Sequence, residues 1–318
     1  MKRKLFCLIL LIALLMQFGC RVQTEAHSAT GFACDTIVTI TAYAPQETVD
    51  AAMQVCRDYE AVLSKTIEGS DVWRLNHADG APVEVNPETA ELLRLAITIG
   101  EQSGGTFDVT IAPASALWDF TADAPTLPDP DALKNAVSRV DYRNIAIEGN
   151  TVTLKNGAGI DLGGIAKGYI ADRVAAYLRE AGVASACINM GGNIVTIGTK
   201  PDGSAWTIGV RDPNGTPEQS EEVLSLTDAA AVTSGNYERF FELDGVRYHH
   251  LLDPKTGMPV QNGVASVTII GTQSALCDAL STACFVLGEQ GSRSLLSRYD
   301  VRAVFLLTDG KRIAYPAE

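Results

Sequence analysis

Runs with strand spacing and runs with helix spacing follow one another along this chain in no fixed order, and that irregular order restricts the fold more than any single motif. Residues 37–43 alternate and are rich in β-branched side chains, which predicts a strand. Val49, Ala52, Met53, Cys56, Tyr59 and Leu63 recur at helical intervals. Asn86-Pro87-Glu88 opens a second helix, which the spacing carries to about Ile99 with Gly100 as its stop. A proline-rich loop over 123–130 precedes a short helix near 131–140. Strands at 145–147 and 152–154, joined by Gly149-Asn150, read as a hairpin. A long helix is expected over 166–181, strands over 186–197, 206–210 and 264–270, a helix over 273–287 and a closing strand over 301–307. There is no internal repeat and no strict strand–helix alternation. The expected class is α+β, with mixed or antiparallel sheets packed with helices, in preference to a doubly wound sheet.

With 318 residues, 46% of them hydrophobic, the chain is long enough to bury a large core and is not a disordered polymer. It carries 25 basic and 38 acidic residues, a net charge of −13. Such a surface repels a phosphate backbone, and the only run of basic residues is Lys2-Arg3-Lys4, so no nucleic-acid partner is expected.

That basic run precedes an apolar stretch from Leu5 to Phe18, followed by Gly19-Cys20. The stretch is short for a spanning helix and has the layout of an export signal. Gly19-Cys20 resembles a bacterial lipobox, in which the cysteine is acylated and becomes the first residue. Gln17 and Phe18 depart from the usual pattern, and ordinary cleavage nearby is the alternative. The expected organisation is a lipoprotein-type signal over 1–19, a tether over 20–31 and a body over 32–318. Five cysteines then remain: Cys34, Cys56, Cys187, Cys277 and Cys284. An odd number cannot all pair, and none forms C-x-x-C, so they are expected to act mainly as small core residues.

Three segments hold side chains suited to chemistry. In 161–169, Asp161-Leu162-Gly163-Gly164-Ile165-Ala166-Lys167-Gly168-Tyr169, adjacent glycines admit close backbone approach before a helix start that can receive an anion. Lys167 adds a point charge, and Asp161 can accept from a ribose hydroxyl or an adenine amine. Taken alone, the segment fits a tight turn with an exposed lysine equally well. In 274–282, Asp278 and Thr282 lie four apart on one helix face. A carboxylate beside a hydroxyl makes a hard-oxygen site suited to Mg²⁺; an isolated pair of this kind also fits a solvated helix face. In 247–257, His249-His250 precedes turn residues Asp253-Pro254-Lys255-Thr256-Gly257. A histidine beside a phosphoryl group can act as a general base, or simply sit in a structural hydrogen bond. Ser234 lies outside any G-x-S-x-G elbow, which disfavours a serine hydrolase.

In this order the segments resemble the ApbE family of FAD:protein FMN transferases, from about Phe32 to the end. The resemblance also runs through Asp35-Thr36, residues 70–76, Gly104-Gly105-Thr106-Phe107-Asp108 with Leu117-Trp118, Asn189-Met190-Gly191-Gly192-Asn193, and 233–240. It implies an ApbE-like fold and an enzyme that uses FAD as substrate with Mg²⁺. A Thr or Ser hydroxyl of a partner protein attacks the FMN-side phosphate, AMP leaves, and FMN stays as a phosphoester. Metal ligation is implied for Asp278, Thr282 and the Gly164 carbonyl. FAD contacts are implied for Cys34, Thr106, Phe107, Asp108, Asp161, Lys167 and Leu252. His250 is the expected base, with Tyr237, Arg239 and His249 behind it. Cys34-Asp35-Thr36 departs from the Met-Gly-Thr of many members. The expected partners are exported or membrane flavoprotein subunits of Rnf-type or sodium-pumping NADH:quinone reductase complexes. The expected location is the outer face of the cytoplasmic membrane, held by lipid at Cys20. The alternatives are FAD hydrolysis to FMN and AMP, a non-catalytic FAD-binding lipoprotein, and a structural or solute-capturing lipoprotein.

Overall fold

The computed structural model describes residues 25–122, 124–213, 215 and 220–317. The expected signal over 1–19, Cys20 and the first part of the tether lie outside the described residues. Among those described, no helix is long and apolar enough to cross a membrane.

The described chain opens with a hairpin of β1 (His27–Ala33) and β2 (Thr36–Ala42), in unbroken register from His27↔Ala42 to Ala33↔Thr36. Its two-residue turn, Cys34-Asp35, has φ of 54° and 56°, as a twist-matched hairpin turn requires. Residues 27–31, expected in the tether, therefore form an edge strand. Their inward positions are His27, Ala29 and Gly31, too little apolar bulk to show the alternation in sequence.

Helix α1 (Gln46–Leu63) buries Val49, Ala52, Met53, Cys56 and Leu63 against this hairpin. Then come α2 (Asp71–Asn76), the short β3 (Val83–Glu84) and α3 (Pro87–Gln102), with proline at the first turn as the sequence indicates. Gly100 does not stop α3. A Cβ there would meet the Tyr142 ring at 2.9 Å and the Phe107 carbonyl at 3.2 Å, so the glycine answers a packing need inside the helix. After α4 (Ala112–Ser115) and α5 (Pro130–Val137), capped by the Asp129 carboxylate, β4 (Ile145–Glu148) and β5 (Thr151–Leu154) form the expected hairpin.

Helix α6 (Ala166–Glu180) leads into β6 (Ala186–Met190) and β7 (Asn193–Ile197). The stretch 186–197 is thus two strands, folded back at Gly191-Gly192 with φ of 58° and 96°. Further strands are β8 (Trp206–Arg211), β9 (Ser220–Leu226), β10 (Ala230–Gly235), β11 (Phe240–Leu243), β12 (Val246–His249) and β13 (Val264–Gly271). Helix α7 (Ser274–Leu296) runs past the expected end at 287, across a kink at Gly288 with φ of 73°. The chain closes with β14 (Arg302–Leu307) and the additional β15 (Arg312–Tyr315).

Eight strands form the main sheet in the order β1-β2-β6-β7-β10-β13-β14-β15, every neighbouring pair antiparallel. Helices α1, α6 and α7 pack on one face. On the other, Ile194, Ala231, Ile270, Val304 and Leu306 pack against Val210, Leu224 and Leu226 of the β8–β9 hairpin. Burial on both faces leaves all seven residues from Val264 to Ile270 of β13 buried, the polar Ser266 and Thr268 among them. The class is the α+β one expected.

Candidate active site

Two helix starts built from distant parts of the chain meet beside the sheet. At Gly168, in the first turn of α6, a Cβ would lie 2.3 Å from the Ser274 carbonyl oxygen and 2.8 Å from the Asp278 Cβ. Glycine alone allows this approach. Each helix then caps the other. The Gly168 N–H donates to Asp278 Oδ2 at 2.9 Å. The Ser274 and Ala275 N–H groups donate to the two Asp172 oxygens, each at 2.9 Å. Both carboxylates sit in helix-start fields that favour negative charge. Burial opposes this at Asp172 and raises its pKa.

The reciprocal caps fix Asp278, a residue only 3% exposed. Thr282 follows one turn along, as the spacing indicated, and its Oγ1 lies 3.1 Å from where a Gly164 Cβ would stand. Ser234 on β10 completes the wall, with its Oγ 2.7 Å from Ser281 Oγ and 3.4 Å from Thr282 Oγ1. The Gly164 backbone thus packs closely against Thr282 of α7. Phosphate would not find all of the α6 N–H groups free, since that of Gly168 is given to Asp278.

Asp278, Thr282 and Gly164 fit a small hard cation by donor chemistry: one carboxylate, one hydroxyl and backbone oxygen. Among the described residues, no three His, Cys, Asp or Glu side chains gather into a metal-binding group. Asp278, Thr282 and Gly164 would supply part of a Mg²⁺ shell, of the kind that phosphates and water complete.

These residues line a cavity of about 770 Å³, a size suited to a nucleotide-scale ligand. Cys34, Thr106, Phe107, Asp108, Asp161, Gly164, Lys167, His250, Leu252, Asp278 and Thr282 all line it. Cys20, the remaining expected site residue, is outside the described residues. Among the secondary candidates Arg239 lines the cavity and Tyr237 and His249 do not. Tyr237 is buried under the Arg211 guanidinium, 4.7 Å from its ring centroid.

The cavity acids are committed to different tasks. Asp108 accepts from Thr110 N–H at 2.8 Å, Thr110 Oγ1 at 2.6 Å and Tyr142 N–H at 2.8 Å, so its carboxylate organises the surrounding loop. Burial raises its pKa against these bonds. Asp161 accepts from Lys65 Nζ at 2.6 Å, Ser115 Oγ at 3.1 Å and Gly163 N–H at 2.9 Å. Burial alone would raise Asp161, but the Lys65 ammonium and these bonds outweigh it and hold the carboxyl below the usual range. Lys65 escaped the sequence reading because it sits in a polar loop far from Asp161 in sequence and carries no motif of its own. Contact with the Cys56 thiol and burial push the Cys34 thiol up, so it serves as a protonated wall.

The two histidines separate cleanly. His249 is buried edge-on against Phe285, with Nε2 2.9 Å from the Val260 carbonyl and Nδ1 accepting from Leu251 N–H at 3.3 Å. Both nitrogens are occupied, and burial pushes the pKa down to about 4. His250 has one tie, Nδ1 to the Arg239 carbonyl at 3.3 Å, which assigns the proton to Nδ1 and leaves Nε2 as acceptor. Burial, reinforced by the Arg239 and Lys167 charges, pushes its pKa down to about 3. The imidazole is therefore neutral at neutral pH, the form that can take a proton.

An aromatic wall closes one side. The Trp118 and Phe120 rings are parallel within 4° at 5.5 Å, and Phe241 and Tyr248 stack behind them. Trp118 Nε1 donates to the Gly257 carbonyl at 2.9 Å, tying this wall to the 253–257 turn.

Known proteins match the chain along most of its length. A family profile described as ApbE family matches residues 34–305. The FAD:protein FMN transferase of Treponema pallidum is 38% identical, covering 93% of this chain and 88% of its own. That of Klebsiella pneumoniae is 36% identical over 80% of each. Among solved structures, the ApbE protein of Thermotoga maritima superposes with a TM-score of 0.84 at 34% identity, covering 91% of this chain and 96% of that one. The flavin transferase ApbE of Vibrio cholerae gives 0.83 at 27%, covering 92% and 97%.

Proposed function

The chain belongs to the ApbE family, and on that premise we propose that it transfers the FMN half of FAD to a Thr or Ser hydroxyl of a partner protein. The observation that carries the reading is the convergence of Gly164, Asp278, Thr282 and His250 on one cavity. In the reaction, the acceptor oxygen bonds to the FMN-side phosphorus and the bridging P–O bond breaks. AMP leaves with that bond's electron pair, and the hydroxyl proton passes to His250 Nε2. Asp278, Thr282 and the Gly164 carbonyl would hold Mg²⁺, which supplies charge neutralisation at the diphosphate. Lys167 adds positive charge at the cavity wall, while Lys65 is paired with Asp161. Positioning and charge neutralisation carry most of the rate in such a transfer.

The depressed pKa of His250 suits this role. In the free protein the ring is neutral, and an anionic diphosphate beside it favours the imidazolium that proton transfer creates. In the free protein the His250 ring protons should show no NMR titration between about pH 5 and 8. A midpoint near the ordinary histidine value would contradict the burial argument. With FAD, Mg²⁺ and a folded acceptor carrying Asp-Gly-x-Thr-Gly-Ala-Thr, covalent flavin fluorescence should appear on the acceptor. His250→Ala should cut that rate by about 10²-fold or more while FAD still binds. Loss of FAD affinity with normal turnover would refute the base role. AMP formed without labelled acceptor would indicate hydrolysis, and FAD bound without product would indicate storage.

We further propose export and lipid anchoring at Cys20, with acceptors among exported or membrane flavoprotein subunits of the Rnf or sodium-pumping NADH:quinone reductase type. The support is the basic flank, short apolar run and Gly19-Cys20 of the sequence. Labelled fatty acid should be incorporated by the full chain and not by Cys20→Ser; equal labelling of both would remove the anchor.

A further inference from the structure

We infer that the outer face of the β1–β2 hairpin, ending at Phe32 and Ile37, is where the flavin-accepting protein docks; this rests on the flavin-transfer reading above. Phe32 and Ile37 are cross-strand partners. They are 70% and 64% exposed, the most exposed large apolar side chains among the described residues. Single exposed apolar residues are ordinary, but this pair is placed at a rim. It flanks Cys34, Asp35 and Thr36, which line the cavity. Ile67, also exposed, lines the smaller adjoining hollow of about 180 Å³, which shares Cys34, Asp35 and Lys65 with the main cavity.

The rest of the hairpin's outer face is uncharged. Thr30 faces Thr39 and Ser28 faces Thr41, as hydroxyl pairs at 3.3 Å and 2.8 Å. Among the described residues of the hairpin, none on this face is charged, although the chain has 38 acidic and 25 basic residues. Depletion of charge around aromatic and aliphatic anchors is the composition of an interface centre. β1 is also an edge of the eight-stranded sheet. Edge strands are commonly blunted by lysine, proline or a bulge, and β1 has none of these. The other face of the hairpin is covered by α1, so among the described residues this one is left open.

The reaction names the occupant. A protein hydroxyl has to reach a phosphate inside the cavity while the body of that protein stays outside. The acceptor surface around the modified residue then presses on the rim, and the β1–β2 tip offers an uncharged apolar platform there.

The test is the double variant Phe32→Ser, Ile37→Ser, with both substitutions at solvent-facing positions. The probe is a folded acceptor domain bearing Asp-Gly-x-Thr-Gly-Ala-Thr, beside the same segment as a free peptide. KM for the folded domain should rise about tenfold or more, and its binding without turnover should weaken by a similar factor. FAD affinity, kcat at saturating domain and transfer to the peptide should stay at wild-type values. Unchanged KM and binding for the folded domain would overturn the inference. Equal losses on the peptide, or weakened FAD binding, would also overturn it, by placing the pair in the flavin site. So would a wild-type dimer in sedimentation that the variant dissolves, which would give the face to a second copy of the chain. Should the wild type bind FAD and the domain yet label neither acceptor, the flavin-transfer reading falls, while the binding measurement still decides the docking face.

Discussion

Asp278→Asn should yield a folded protein that no longer transfers flavin. The amide oxygen can still accept the Gly168 N–H, now 2.9 Å from Asp278 Oδ2, so the crossing of α6 and α7 is kept. What disappears is the negative charge beside Thr282 and Gly164. Removing one fixed charge from a phosphoryl-transfer site costs about 10²–10³-fold in rate, and loss of the cation takes more. Mg²⁺-dependent FAD binding, followed by flavin fluorescence, should be lost together with the turnover. Asp278→Ala should do the same and also lower thermal stability, because it orphans a buried N–H at a cost of about 1–3 kcal/mol. The pair of variants separates the two duties of one side chain. If Asp278→Asn keeps Mg²⁺-stimulated transfer, this carboxylate does not hold the metal.

How much of this was legible beforehand depends on the distance over which each residue acts. Asp278 and Thr282 could be paired from sequence because helical spacing is local, and Gly163-Gly164 because a diglycine before a helix is a local signal. The expected FAD and metal residues came from motifs matched along the chain, and the structure lines one cavity with them. The reading failed where the reason for a residue lies elsewhere in the chain. Gly100 looked like a helix stop, but its cause is the Tyr142 ring packed against it. Lys65 carries no motif, yet it neutralises Asp161 by direct contact at the cavity wall. Asp172 carries no motif of its own either, yet it caps α7. β1 was hidden because Ala29 and Gly31 have no bulk with which to mark an inward face.

Gly168→Ala should be the most damaging single methyl in the site, because the obstacle it meets is backbone. The added carbon would stand 2.3 Å from the Ser274 carbonyl oxygen, and no rotamer change can clear that atom. The helices have to separate, and the separation falls on the contacts that hold them. The Gly168 N–H to Asp278 bond lengthens, as do the bonds from Ser274 and Ala275 to Asp172. Overpacking a close contact ordinarily costs about 1–3 kcal/mol, and each weakened bond to a charged group adds to it. Asp278 and Thr282 ride on α7 while the Gly164 backbone leads into α6, so the same displacement also pulls the proposed metal ligands apart. Thermal unfolding should therefore show a drop of several degrees, with transfer reduced more steeply than stability alone accounts for. Gly159→Ala is the matched control, since its added carbon meets neighbours no closer than 3.5 Å. If both variants unfold at the wild-type temperature and transfer flavin equally, the tight crossing at Gly168 is not what aligns the site.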